Sequence, residues 1–189
     1  MKSFSQNKVT PREVAILLSK NNIVCIFQGQ SEAGPRALGN RSILYNPTDP
    51  NGKDFVNKVK GREWFRPFAG TVLLEKSFEW FDMAGMKESP FMMCAVNVRP
   101  EKQSLIPSIT HVDGTCRIQT LTKKQNPNYY KLIKEFEKIT GIPILFNTSF
   151  NLAGHTLVET FDHAMQTILN SKMKYLYLPD LEVLLTKEN

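Results

Sequence analysis

Two arginines in a turn-rich stretch, Arg36 and Arg41 of SEAGPRALGNRS (31–42), are the first residues whose setting suggests chemistry. Gly34, Pro35 and Gly39 lie around them, directly after an apolar run. Glycine permits close backbone approach, so backbone N–H groups and planar guanidinium forks can converge on one phosphate or carboxylate. The pattern is neither a Walker A loop nor GxGxxG. A proline–glycine turn with two surface arginines fits the spacing equally well.

Three further segments have comparable potential. VKGREWFRPF (59–68) interleaves Lys60, Arg62 and Arg66 with Trp64, Phe65 and Phe68. If Gly61 ends a helix and the chain then runs extended, Arg62, Trp64 and Arg66 share a face, and aromatic support makes a rigid anion pocket. Phe65 and Phe68 read as core, with the cations at its rim. THVDGTCR (110–117) spaces His111, Asp113, Thr115 and Arg117 by two, a polar stripe on one face of a strand unless Asp113-Gly114 turns the chain. His111 taken alone reads more readily as a structural histidine. FNTSFN (146–151) spaces Asn147, Ser149 and Asn151 likewise, and hydroxyl and amide groups at a strand end suit triphosphate or magnesium-bound oxygens. His111, His155 and His163 are too scattered for a metal site, and neither a carboxylate pair, GxSxG nor a catalytic triad is visible.

The elements that must carry these segments follow from periodicity and punctuation. Thr10–Asn22 is expected to be a helix: a threonine cap, proline behind it, Glu13 in the first turn and apolar Val14, Ala15, Leu17 and Leu18 on one face. IVCIFQG (23–29) reads as a buried strand feeding the arginine loop. Helices are expected over 50–61, 126–141 and 160–172, and strands over 71–75, 91–98, 110–122, IPIL and the closing YLYLPDLEVLL. Without strict βαβ alternation, the mixture implies a mixed sheet flanked by helices, an α+β fold. With no repeat and no linker longer than 75–90, residues 1–189 read as a single domain.

Composition narrows the function classes. The chain has 189 residues and a net charge of +6, from 24 basic and 18 acidic side chains. Residues 36–66 hold seven cations against three acids, +4 in 31 residues. So local an excess suggests a docked anion, although a solvated basic face also accounts for it. No stretch approaches the roughly 20 apolar residues of a membrane helix, and the opening lacks a signal core, so the expected location is cytoplasmic. Cys25, Cys94 and Cys116 are odd in number and far apart, which excludes a disulfide framework and makes them small core residues.

Taken in order, GPRALGNRSIL, VKGREWFRPFA, THVDGTCRIQT and ILFNTSFN resemble the C-terminal region of the O-carbamoyltransferases of antibiotics and nodulation factors, over about residues 29–184. The resemblance implies a YrdC-like domain, similar to threonylcarbamoyl-AMP synthases, that normally follows a Kae1-like domain. It implies that carbamoyl phosphate is broken down to carbamate, which attacks the α-phosphate of ATP to give carbamoyl adenylate and pyrophosphate. The Kae1-like domain then carbamoylates an acceptor hydroxyl. By the same resemblance Lys60, Arg66, Arg117 and Ser149 are the catalytic set. Arg36, Arg41, Arg62, His111, Asn147 and Asn151 bind carbamoyl phosphate and ATP, with magnesium carried by ATP and no protein-built metal site. Since Met1 stands some 28 residues before the first shared segment, the transfer step is expected from a separate Kae1-like chain.

Two other readings are compatible with the sequence. One is a catalytically silent nucleotide- or RNA-binding module, favoured by the positive charge. The other is a structural subunit whose sheet face completes a partner's site. Retention of the arginine loop, the basic-aromatic segment and the polar turn together favours the enzyme.

Overall fold

The computed structural model describes residues 3–188. Helix α1 (Pro11–Ser19) begins with a reciprocal capping box: Thr10 Oγ1 accepts from the Glu13 N–H, and the Glu13 carboxylate accepts from the Thr10 N–H. Helix α2 (Gly52–Lys60) ends where Gly61 turns left-handed at φ 68°. After two short helices, α3 (Ser77–Trp80) and α4 (Pro100–Gln103), comes α5 (Pro127–Thr140). Asn126 caps α5 through the Tyr129 N–H, and Gly141 stops it. Thr160 caps α6 (Phe161–Leu169) through the His163 N–H.

Ten strands form one sheet among the described residues. They are β1 (Phe4–Lys8), β2 (Val24–Phe27), β3 (Arg41–Tyr45), β4 (Ala69–Leu73), β5 (Phe81–Asp82), β6 (Ala95–Val98), β7 (Thr115–Leu121), β8 (Ile144–Ser149), β9 (Tyr175–Leu178) and β10 (Val183–Lys187). Their order is β1-β10-β9-β2-β3-β8-β4-β7-β6-β5, with β2/β9 and β4/β7 parallel and every other neighbour antiparallel. This is the mixed α+β sheet the sequence implies. Central strands β3 and β4 are buried along their whole length, as strands covered on both faces must be. One apolar cluster joins them to Val14 and Leu18 of α1 and to Tyr129, Leu132, Ile133 and Phe136 of α5.

Several boundaries differ from the sequence expectations. RSIL belongs to strand β3 rather than to the arginine loop. The strand expected over 91–98 begins only at Ala95, because Met92 is left-handed at φ 55°. That expected over 110–122 begins at Thr115: the Gly114 N–H reaches the His111 carbonyl and the His111 N–H the Thr115 carbonyl, closing the turn that Asp113-Gly114 allows. Residues 75–90 are not a bare linker, since α3 and β5 bury Trp80 and Phe81 there. Cys25 and Cys116 are buried core residues, whereas Cys94 is partly exposed. None of the helices among the described residues is long and apolar enough to cross a membrane.

Candidate active site

The register of the central strands sets the floor of the site. Ala69 of β4 lies opposite Asn147 of β8 on one side and Arg117 of β7 on the other, so Arg117 and Asn147 share a sheet face two strands, roughly 10 Å, apart. One pleat further along β8, Ser149 is on the same face, opposite Ser42 of β3.

Lys60, the last residue of α2, meets the end of β8. Its Nζ donates to the Ser149 carbonyl, to Ser149 Oγ at 3.3 Å and to Asn151 Oδ1 at 2.9 Å. The Ser149 hydroxyl donates to Asn151 Oδ1 at 2.7 Å, and Asn151 Nδ2 to the His155 carbonyl at 2.7 Å. The turn 149–155 is thus stapled around one ammonium group that is only 3% exposed. Burial, and then the charge of Arg62, push that ammonium down to about 7.

The other cations are gathered around this turn. Arg62 stacks on Phe68 at 4.2 Å and donates from Nε to Asn57 Oδ1 at 2.6 Å. Burial, followed by the charges of Arg66 and Arg117, lowers its guanidinium to about 10. Arg66 is half-exposed and paired with Glu63 at 2.7 Å. Arg117 is lowered by burial and by Arg36. The Nε–H groups of Arg117 and Arg36 are both buried without a protein partner. Buried donors of this kind ordinarily find an acceptor, and these two have none within the protein.

Two open cavities flank the polar turn and share Ser149 and Asn151. One, about 580 Å³, is lined by Glu32, Gly34, Arg36 and Glu159. The other, about 610 Å³, is lined by Lys60, Arg62, Glu63 and Arg66. Arg117 lines neither wall, and its charge reaches Arg62 on one side and Arg36 on the other. Arg36, Lys60, Arg62, Arg66, Arg117, Ser149 and Asn151 are therefore brought together from four separate segments.

Three sequence candidates have other work. Arg41 is 3% exposed and stacks on Phe27 at 3.6 Å. Its Nε and two terminal nitrogens donate to the carbonyls of Gln28, Gly29, Asn40 and Glu159 in five hydrogen bonds, leaving no N–H for an anion. His111 sits in the turn before β7, its ring nitrogens against Thr115 Oγ1 at 3.1 Å and the Phe68 carbonyl at 2.9 Å, and it borders neither cavity. Asn147 is buried and donates to the Ala37 carbonyl at 3.1 Å and to Thr71 Oγ1 at 3.0 Å, tying the arginine loop to the sheet.

The basic-aromatic segment also departs from an extended strand. The Arg62 N–H returns to the Asn57 carbonyl and the Arg66 N–H to that of Glu63. Arg62 and Arg66 face one cavity, but Trp64 and Phe65 are 71% and 62% exposed, so of the segment's two phenylalanines Phe68 is core and Phe65 is not. The arginine loop differs too. The N–H groups of Leu38, Asn40 and Arg41 point to the Glu32 carboxylate and that of Gly39 to Ser42 Oγ, so the backbone of 38–41 is turned to side chains of its own loop rather than to the cavity. Glu32 was missed by reading for cations; a lone acid inside a basic glycine loop was the available signal.

Among the described residues no group of three or more His, Cys, Asp or Glu is placed to hold a metal ion. Of the acids lining the cavities, Glu32 is committed to backbone N–H groups and Glu63 to Arg66, which leaves Glu159. One carboxylate suits an ion that keeps phosphate and water ligands.

Comparison with known proteins bears on the family and the fold. A family model described as the carbamoyltransferase C-terminus matches residues 15–185. Nodulation protein NolO of Bradyrhizobium diazoefficiens is 47% identical over 158 residues, 82% of this chain and 29% of that protein. An uncharacterized protein of Methanocaldococcus jannaschii is 41% identical over 169 residues, 89% of this chain and 27% of its own length. The chain thus spans less than a third of these curated relatives. Among solved structures, Sua5 of P. abyssi complexed with L-threonine matches with a TM-score of 0.62 at 15% identity, over 89% of this chain and 46% of that one. Full-length HypF in its phosphate- and nucleotide-bound form matches with a TM-score of 0.60 at 16% identity, over all of this chain and 23% of that one. The shared architecture is the YrdC/Sua5 fold.

Proposed function

Since the chain belongs to the carbamoyltransferase C-terminal family, we propose that it is the part that makes carbamoyl adenylate from carbamoyl phosphate and ATP. The observation carrying this reading is the pair of cavities that share Ser149 and Asn151, one lined by Lys60, Arg62 and Arg66 and the other by Arg36 beside Glu32 and Glu159. Two polyanionic substrates must approach each other against their own repulsion, and fixed cations on both sides of a common polar turn offset it. HypF, whose fold is similar, was solved with phosphate and nucleotide bound, in keeping with such ligands here.

In this reaction carbamoyl phosphate is hydrolysed: water adds as the bond joining the carbamoyl and phosphate groups breaks, leaving carbamate and inorganic phosphate. A carbamate oxygen then attacks the α-phosphorus of ATP, the new P–O bond forms, and pyrophosphate departs with the electrons of the broken α–β bridge. Arg36, on the wall of the first cavity, holds phosphate oxygens, and Arg117, which lines neither wall, adds positive charge from behind. Lys60, through its bonds to Ser149 and Asn151, keeps the turn in place and supplies positive charge between the cavities. Arg62 and Arg66 neutralise the second anion, Arg66 exchanging Glu63 for substrate. No residue need act as nucleophile. Magnesium enters with ATP, held by phosphates and water.

Thr156, Leu157 and Val158 of the first cavity also line a smaller one of about 260 Å³ with His155, His163 and Gln166, whose imidazole and amide edges suit a nucleoside. Transfer of the carbamoyl group to an acceptor hydroxyl belongs to a Kae1-like unit outside these 189 residues.

Incubation with ATP, magnesium and carbamoyl phosphate, following pyrophosphate, tests the reading. Release that requires carbamoyl phosphate and disappears in Lys60→Ala and Arg66→Ala is expected. Absence of binding by both small molecules at millimolar concentration, with nucleic acid bound in a steeply salt-dependent way, would instead favour the binding module.

A further inference from the structure

A carboxylate on the wall of a polyanion site is at first sight out of place, since it repels what the site collects. Glu32 stands there, on the same cavity wall as Arg36. Its Oε1 accepts the N–H groups of Leu38 at 2.7 Å and Asn40 at 2.8 Å, and its Oε2 accepts that of Arg41 at 3.1 Å. Residues 32 and 38–41 are thereby closed into a ring, and Arg36 lies on the arc between them.

The other half of the brace has the opposite charge. Arg41 ties the carbonyls of Gln28, Gly29 and Asn40, both feet of the loop, to that of Glu159, which lines the same cavity. Glu32 takes backbone donors and Arg41 backbone acceptors, so one anion and one cation hold the loop from opposite polarities, beside neutral contacts from Ser42, Gln28, Gln119 and Asn147. The two charges also favour each other, Glu32 offsetting part of the burial that weakens the Arg41 guanidinium. We infer that Glu32 is a positioning residue: with Arg41 behind it, it fixes the loop that aims Arg36 into the anion cavity. This role rests on reading the cavity as an anion site.

The sign of one substitution separates positioning from charge. Glu32→Gln removes a negative charge from the cavity wall, which by electrostatics alone tightens anion binding. It also replaces one acceptor oxygen with an amide that points donors at backbone N–H groups, which loosens the loop. The probe is inorganic pyrophosphate, titrated by calorimetry into the full chain.

Positioning predicts that Glu32→Gln binds about tenfold more weakly than wild type, the order expected for losing a charge-assisted hydrogen bond. Glu32→Asp, which keeps the charge, recovers part of the loss. Amide exchange at Leu38, Asn40 and Arg41 speeds up in Glu32→Gln. Because Glu32 acts through Arg36, adding Glu32→Gln to Arg36→Ala costs little further affinity, whereas a general loss of structure adds in full. Equal or tighter binding by Glu32→Gln, or full additivity in the double variant, overturns the role. Wild-type protein that takes up no pyrophosphate overturns the anion reading itself.

Discussion

Lys60 and Ser149 are joined twice, the ammonium donating to both the carbonyl and the hydroxyl of one residue 89 positions away in the chain. The contact links the end of α2 to the end of β8 where the two cavities meet. It gives the site its centre of charge and its pH dependence.

Because burial lowers the folded pKa of Lys60 to about 7 from 10.5, the unfolded chain binds the extra proton between those values. Stability therefore rises with pH across that window, while below about pH 7 both states are protonated and the burial penalty is fully present. Lys60→Met is expected to abolish this rise, measured as urea midpoints from about pH 6 to about pH 10. A bound anion raises the Lys60 pKa, so pyrophosphate binding near pH 8 takes up a proton in wild type and less in Lys60→Met. Calorimetry in buffers of different ionisation enthalpy reads the uptake.

Removing Arg41 takes a donor from the carbonyls of Gln28, Gly29, Asn40 and Glu159, of which that of Asn40 still accepts from the Gln28 N–H. Arg41→Met is expected to cost about 3 kcal/mol in unfolding free energy, as loss of one member of a buried charged network does. Arg36→Met, on the open arc of the same loop, should change stability by under about 1 kcal/mol while weakening anion binding. Urea denaturation and calorimetry separate the two.

Gly39 makes the close approach of the arginine loop to α5 possible. A Cβ there would lie 2.3 Å from the Tyr129 ring, at a φ of +108° that side chains rarely adopt. Gly39→Ala is expected to lose about 2 kcal/mol or more and to lower the thermal midpoint, since the buried ring has nowhere to retreat.

Trp64 and Phe65 lie outside the cavities. Trp64→Ala should change stability by no more than about 0.5 kcal/mol and leave pyrophosphate affinity within about twofold of wild type. Thermal melts and the same titration check both values.

The sequence was most legible where structure is local. Thr10, Asn126, Thr160, Gly61 and Gly141 mark helix ends through contacts within four residues, and all five do so. Alternation failed wherever a turn residue broke phase, as at Gly114 and at left-handed Met92. Charge singled out cations that do gather, Arg36, Lys60, Arg62, Arg66 and Arg117. It could not assign roles among them. Arg36 and Arg41 look alike in SEAGPRALGNRS, and only the pairing of β2 with β3, which sets Arg41 against Phe27, turns one of them inward. Glu32 was overlooked for the same reason: its partners are backbone N–H groups, which no side-chain pattern displays.

The central claim is that the cavities on either side of Ser149 and Asn151 hold two anionic substrates at once. Calorimetric titration of a non-hydrolysable ATP analogue with magnesium, into protein first saturated with inorganic phosphate, tests it most directly. The account predicts that one analogue binds per chain with an affinity within about tenfold of that measured without phosphate. Strict competition, in which saturating phosphate eliminates analogue binding, would contradict it.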